Sequence, residues 1–323
     1  MLCAGRVLGL VAAALLAAGA SAKLCGCSKD VALRITNVYE NGDTDFHYDY
    51  CENLGDGRGI TAGIAGFCTG TADAWQVIQE YHKLTGGKDD FSPMDSVLAK
   101  YAKSGSDSAA GLERYCDVWG KLGKSDVKFQ HAQDLVRDKL YYVPSQEEAD
   151  KLRLKLDISR AFLYDTGIQH GTGSDGDGLK AVIREASQKA SFKAGGSQEQ
   201  EIAWLRAMIE TRDEHLKNPK EKDNQGGNYW AQTTYRTKSY KYAIDQKEYM
   251  FGTSVKILDN DGKPMTVKCQ LKAAVRRRDA AGVPAKIYRQ LAEPSGPPAS
   301  RRPRPPLQQH DSATARGLDA LAS

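Results

Sequence analysis

The chain has 323 residues, 41% of them apolar and 27% charged, with 45 Lys/Arg against 41 Asp/Glu, enough for one large or two modest domains. The excess of base belongs to the ends. With Arg6 and the nine Lys/Arg and four Asp/Glu of residues 273–323 set aside, residues 23–272 carry 35 bases and 37 acids, a balance in which nothing suggests a nucleic-acid groove.

Residues 1–22 combine Arg6, an apolar run Val7–Ala18 and the small-residue end Ala20-Ser21-Ala22. That pattern predicts a secretory signal cleaved after Ala22. The run is short for a membrane anchor and no second span follows, so no membrane attachment is expected after cleavage. Cleavage removes Cys3 and leaves Cys25, Cys27, Cys51, Cys68, Cys116 and Cys269. An even count in a secreted chain permits three disulfides in any of fifteen pairings. The spacings do not fit a zinc finger. At least one disulfide is expected, with the pairing open and no metal site.

A first helix is predicted over 29–40, with Ser28 as N-cap, Val31, Ile35 and Val38 on one face, and Asn41-Gly42 as the stop. Residues 44–50 alternate, with Phe46, Tyr48 and Tyr50 on one side and Asp45, His47 and Asp49 on the other, which reads as a half-buried strand. The glycine-rich stretch 53–72 reads as loop and tight turns. A helix over 73–84 follows, with Asp73 and Gln76 placed as a capping box. Further helices are predicted at 95–103, 108–121, 126–139, 146–169, 178–191, 198–217 and 240–250. Residues 253–270, with a turn at Asn260-Asp261-Gly262, read as a hairpin. The fold class is therefore mainly α with a small β element, and no repeat is visible. Residues 273–323 contain Arg301-Arg302-Pro303-Arg304-Pro305-Pro306 and lack the apolar content for a core, so they are predicted to be a disordered, partly polyproline-II tail.

Chemistry concentrates early. Glu40, Asp43, Asp45, Asp49, Glu52, Asp56 and Asp73 lie in one segment with Arg58 as its only Lys or Arg. Interleaved with aromatics and glycines, this acid reads as a wall that receives something cationic. Glu40 would end a helix, where the negative end of the dipole disfavours an anion and suits a general acid. Asp56, in Gly55-Asp56-Gly57-Arg58-Gly59, would be open to water and suited to act as a base. One protonated and one ionised carboxyl is the pattern of glycoside hydrolysis, although spacing alone favours a solvated helix end and an ordinary turn aspartate.

Other constellations fail. Gly57 and Gly59 lack a Walker lysine or a full dinucleotide fingerprint. Asp175-Gly176-Asp177-Gly178 and Asp259-Asn260-Asp261-Gly262 hint at calcium loops without a ligand at the required distance. No zinc-protease or serine-hydrolase motif occurs. Two helices place a charge in an apolar stripe: Asp165 in line with Ile158, Ala161, Phe162 and Ile168, and Arg212 in line with Ile202, Leu205, Ile209 and Leu216. An unpaired buried charge is costly, so the two are expected to pair as a structural brace.

The series Glu40-Asn41, Tyr50, Asp56-Gly57-Arg58-Gly59, Thr61, Gly66 and Asp73, with Glu52-Asn53-Leu54-Gly55 and Gly63-Ile64-Ala65-Gly66-Phe67-Cys68-Thr69-Gly70-Thr71, resembles the signature of glycoside hydrolase family 46, the chitosanases. The likeness continues in Tyr164-Asp165, His170-Gly171 and Glu210-Thr211-Arg212, and covers roughly 28–270. It implies a lysozyme-like α+β fold, two helical lobes around a cleft, with 23–272 as the catalytic domain. It implies endo-hydrolysis of β-1,4 glucosamine links in chitosan with inversion, by a secreted monomer without cofactor. Carried over, Glu40 is the acid, Asp56 the base, and Thr61 helps to hold the attacking water. Tyr50, Glu52, Arg58, Asp73 and His170 match cleft positions, while Asp165, Arg212 and Arg236 match a buried ion network. Asp73 has a rival role as helix N-cap, and His170 as a C-capping residue. Ile60 stands where an aromatic is common, and Ala72 where glycine is common. A peptidoglycan hydrolase and a secreted chitosan-binding protein without catalysis are the alternatives.

Overall fold

The computed structural model describes residues 24–225 and 229–271, so the predicted signal and the Arg/Pro-rich tail lie outside the described residues. Helix α1 spans Gly26–Asn41. A three-stranded antiparallel sheet follows: β1 Cys51–Asn53, β2 Ile60–Ala62 and β3 Phe67–Cys68, in that order. Four helices follow: α2 Asp73–Thr85 and α4 Tyr115–Ser125 pack on the sheet, and α3 Asp95–Ser104 and α5 Val127–Arg137 pack on α2. A π-helical turn, Asp138–Tyr142, runs α5 directly into α6 Val143–Lys151. The second group comprises α7 Asp157–His170, α8 Leu179–Lys189, α9 Gln198–Lys217, α10 Tyr235–Asp245 and the hairpin β4 Ser254–Leu258 with β5 Pro264–Lys268. Helix α1 packs on α7 and on this hairpin, so the first element of the fold rests on the last.

Several sequence expectations are revised. Residues 44–50 form no strand. Several of their carbonyls are taken by side chains instead of a ladder: Arg34 Nη1 donates to Thr44 O, Asn37 Nδ2 to Asp45 O, and Trp119 Nε1 and Gln133 Nε2 both to Tyr48 O. Pairing begins only at Cys51, and the glycine-rich stretch read as loop supplies β2 and β3. Ser28 caps nothing; it lies inside α1 and donates to Asp157 Oδ2 at 2.7 Å. The predicted helix over 146–169 is two helices. Residues 152–156 interrupt it, with Arg153 at φ +52°, in the left-handed region that ends helices. The helices predicted at 108–121 and 240–250 begin at Tyr115 and Tyr235. The 198–217 helix matches its prediction, closed at Ser197 by a capping box with Gln200.

Among the described residues two disulfides form, Cys27–Cys269 and Cys51–Cys116. The first ties the start of α1 to the strand end after β5, and the second ties β1 to α4. The Asp175–Gly178 segment that hints at calcium has a different role. Asp177 is fully buried and accepts from His215 Nδ1, the Lys220 and Glu221 amides and Asn224 Nδ2, all at 2.9–3.0 Å. It thereby fastens the loop after α9 to the loop before α8.

His215 sits between two carboxylates, with Nδ1 on Asp177 and Nε2 3.0 Å from Glu185 Oε2. Burial favours the neutral ring and Lys220 opposes its charge, but the bonds to Asp177 and Glu185 outweigh both and raise its pKa. A raised histidine contributes stability that is fully present below its unfolded value, about 6.5, and is lost as pH rises through its folded value. The wild type is therefore predicted to melt above H215Q at pH 6, with the gap narrowing steadily towards pH 9. A gap independent of pH in thermal melts contradicts this.

Candidate active site

Glu40 stands in the last turn of α1, where Gly42 (φ +84°) turns the chain out of the helix and caps Val38 O at 2.8 Å. Its Oε1 accepts from Arg236 Nη1 at 2.7 Å. The other edge of that guanidinium faces Asp165, with Nη2 to Oδ1 at 2.7 Å and Nε to Oδ2 at 3.3 Å. Arg212 completes the chain, with Nη1 on Asp165 Oδ2 at 2.7 Å and Nη2 on Gln169 Oε1 at 2.6 Å. Asp165 and Arg212 have no exposed surface. Burial alone would push the Asp165 pKa up; Arg236 and Arg212 hold it down at about 2. The network thus joins α1, α7, α9 and α10. Gln169 was not foreseen, although its place one turn after Asp165 on the same face was the available signal. Beside the acid lies a small cavity lined by Glu40, Thr36, Phe46, Ile64, Arg137 and Tyr164. Ile64 brings the β2–β3 turn to the acid.

Asp56 is held from the opposite direction in sequence. Arg58 donates to Oδ2 through Nη2 and Nε at 2.5 and 2.9 Å, and its amide donates to Oδ1 at 3.1 Å. Two guanidinium N–H groups converge on Oδ2 while the amide holds Oδ1, so this two-residue clamp fixes both oxygens of the carboxylate. Gly59 lies at φ +80°, and a Cβ there would meet Thr69 Oγ1 at 2.3 Å, so only glycine lets the clamp close onto the sheet. Arg58 is buried and directed at Asp56. Thr61 lies in β2 between Glu52 and Cys68, and its hydroxyl is 3.3 Å from Cys68 Sγ.

Tyr50 and Glu52 are half-buried neighbours, with the Tyr50 hydroxyl donating to Glu52 Oε2 at 3.1 Å. Burial, then this bond, raises the phenol pKa, so Tyr50 stays protonated as a donor. Asp73 is only 1% exposed, and its Oδ1 accepts from Cys68 N and Thr71 Oγ1. It fixes the β3-to-α2 junction, and the predicted box with Gln76 does not form: α2 has no side-chain cap. His170 is buried at the end of α7, packed edge-on to Trp230, and its Nδ1 is 2.9 Å from Asp177 O. A carbonyl only accepts, so Nδ1 carries the proton. Burial, followed by Arg212, lowers its pKa and keeps the ring neutral.

The acidic wall is less bare than its composition suggests. Arg236 pairs with Glu40, Arg58 with Asp56 and His47 with Asp43, while Lys124 lies 3.8 Å from Asp49. No group of three or more His, Cys, Asp or Glu able to hold a metal occurs among the described residues.

Helices flanking a small antiparallel sheet, with one carboxylate carried on a helix end and another on a sheet turn, are the arrangement of lysozyme-like glycoside hydrolases. The chain falls in that class. The family model for glycosyl hydrolase family 46 matches residues 34–247, and the chain belongs to that family. It is 33% identical over 249 residues to the chitosanase of Bacillus subtilis strain 168, covering 75% of this chain and 87% of that one. A mutant chitosanase from Bacillus subtilis MY002, complexed with 6 GlcN, superposes with a TM-score of 0.66 at 33% identity, covering 75% and 98% of the two chains. The Gynuella sunshinyii family 46 chitosanase, in complex with chitotetraose, gives 0.67 at 30% identity, with 77% and 100% covered.

Two predictions follow from this geometry. Removing one partner of a buried ion pair costs about 3–5 kcal/mol, so R236A is predicted to lose stability on that scale, and R236K less, because it keeps charge without the fork. Denaturant unfolding of R236A equal to wild type contradicts this. Ala72 precedes α2 at φ +67°, the left-handed region where a Cβ costs roughly 1–2 kcal/mol, which explains a preference for glycine there. A72G is predicted to raise the unfolding free energy by about 1 kcal/mol, and a decrease contradicts the strain.

Proposed function

We propose that the protein is a secreted endo-chitosanase that cleaves β-1,4 glucosamine links of chitosan with inversion at the anomeric carbon. Family membership and chitosanase relatives, one complexed with 6 GlcN and one with chitotetraose, support the activity and substrate. Two disulfides and the predicted signal support an oxidising, extracellular setting. The single observation that carries the chemistry is two partly exposed carboxylates on separate elements, each held by its own arginine.

In this reading Arg236 binds Glu40 Oε1, leaving Oε2 to carry the proton. That proton passes to the glycosidic oxygen as its bond to C1 breaks. Water attacks C1 from the opposite face and gives one hydrogen to Asp56, which Arg58 holds in orientation. Thr61 helps to hold this water. Inversion calls for a carboxyl separation of roughly 6.5–9.5 Å, wide enough to admit it. Proton exchange with solvent then restores both groups. No metal or cofactor is required.

Tyr50 and Glu52 are the substrate contacts this geometry favours. Glu52 is an acceptor for an amino group of glucosamine, charged at mildly acid pH, and Tyr50 holds its carboxylate in place. Arg58 acts on the substrate through Asp56. Asp73 and His170, both buried, shape the wall from behind. The enzyme acts as a monomer, without nucleic acid.

A general acid or base contributes typically 10²–10⁴-fold in rate. E40Q and D56N are each predicted to reduce chitosan hydrolysis by at least about a hundredfold while retaining a cooperative melt. Reducing-end release at the wild-type rate by either variant refutes the assignment.

A further inference from the structure

Cys68 lies one cross-strand step from Thr61, and the mechanism above gives its thiol no task. The two are register partners in β3 and β2 and are 1% and 3% exposed. Cys68 Sγ donates to Gly66 O at 3.3 Å and lies 3.3 Å from Thr61 Oγ1. A carbonyl oxygen has no proton to offer, and a thiol has one. With S–H directed at Gly66 O, the contact with Thr61 is made by the threonine O–H pointing at sulfur. The Cys68 backbone is anchored in turn, because Asp73 Oδ1 accepts its amide at 2.9 Å.

We propose that Cys68 is a positioning residue that turns the Thr61 hydroxyl into an acceptor for the attacking water. This rests on the reading of Thr61 as a holder of that water. The water has two hydrogens, and Asp56 takes one as the new C1–O bond forms. The other needs an acceptor. A Thr61 hydroxyl free to rotate competes as a donor to the water oxygen, occupying the lone pair that must attack. With its proton held on Cys68 sulfur, Thr61 presents only lone pairs to the water, which leaves the nucleophilic pair exposed. The chain of donors thus runs water to Thr61, Thr61 to Cys68, and Cys68 to Gly66 O, with one direction throughout.

The test measures kcat and KM on a glucosamine hexamer for C68A, C68S, T61V and the double variant C68A/T61V, each with its melting temperature. Loss of one orienting hydrogen bond predicts that C68A lowers kcat roughly five- to tenfold with KM within about twofold. C68S, whose hydroxyl both donates and accepts, is predicted to recover most of that loss. In the T61V background C68A is predicted to add less than about a twofold effect, because the two residues act through one contact. Should C68A fail to melt cooperatively, C68V fills the volume without a polar group and carries the same expectation. Slow T61V with an unchanged C68A kcat overturns the role of Cys68 alone. Equal losses in C68A and C68S, tracking their melting temperatures, also overturn it by making the effect one of packing. Wild-type turnover by T61V overturns the Thr61 reading and this inference with it.

Discussion

Arg236 is the residue on which the arrangement depends. Its guanidinium bridges Glu40, at the end of the first helix, and Asp165, buried within α7. Arg212 closes the far side of Asp165 and reaches Gln169. No member is stable alone in this interior. Asp165 without its arginines is a desolvated anion, and either arginine without Asp165 is a desolvated cation. The bridge therefore forms only when α1, α7, α9 and α10 have all reached their native places. Glu40 is positioned by the completed fold rather than by its own helix.

Asp56 follows the opposite strategy. Its clamp, Arg58, is two residues away, and the geometry needs only a tight turn, the left-handed glycine at 59 and the sheet beneath it. A locally held carboxylate and a globally held one have different sensitivities. Damage far along the chain, in α9 or α10, reaches Glu40 through Arg236 and leaves the Asp56 turn intact. The same contrast governs the charge of the wall. Arg236, Arg58 and Lys124 stand beside Glu40, Asp56 and Asp49, and His47 beside Asp43, so the field that draws a cationic sugar is weaker than composition implies. Glu52 instead accepts from the Tyr50 hydroxyl.

Legibility in the sequence tracks this distinction. The Asp56 turn could be read because its glycines and arginine are contiguous. The Asp165–Arg212 pair could be anticipated because each charge interrupts an apolar stripe, and an interrupted stripe demands a partner. Arg236 bonding to Glu40 across 196 residues left no periodic trace; only family resemblance pointed to it. The 198–217 helix was visible in full, and its Ser197–Gln200 cap came to light in the structure. Residues 44–50 misled because alternation reports which side chains are buried, not what the backbone bonds to. Phe46 packs under Arg34 and Arg137, and the Tyr48 carbonyl is taken by Trp119 and Gln133. Disulfide pairing and the inward turn of Asp73 and His170 likewise depend on tertiary neighbours that no local pattern encodes.

The central claim is that Glu40 protonates the departing oxygen while Asp56 directs water to the opposite face. The most direct test follows the anomeric proton of newly formed reducing ends by NMR during the first minutes of chitosan hydrolysis, before mutarotation mixes the forms. The account predicts that the β-link yields the α-anomer first. Initial appearance of the β-anomer would mean retention through a covalent intermediate and would contradict it.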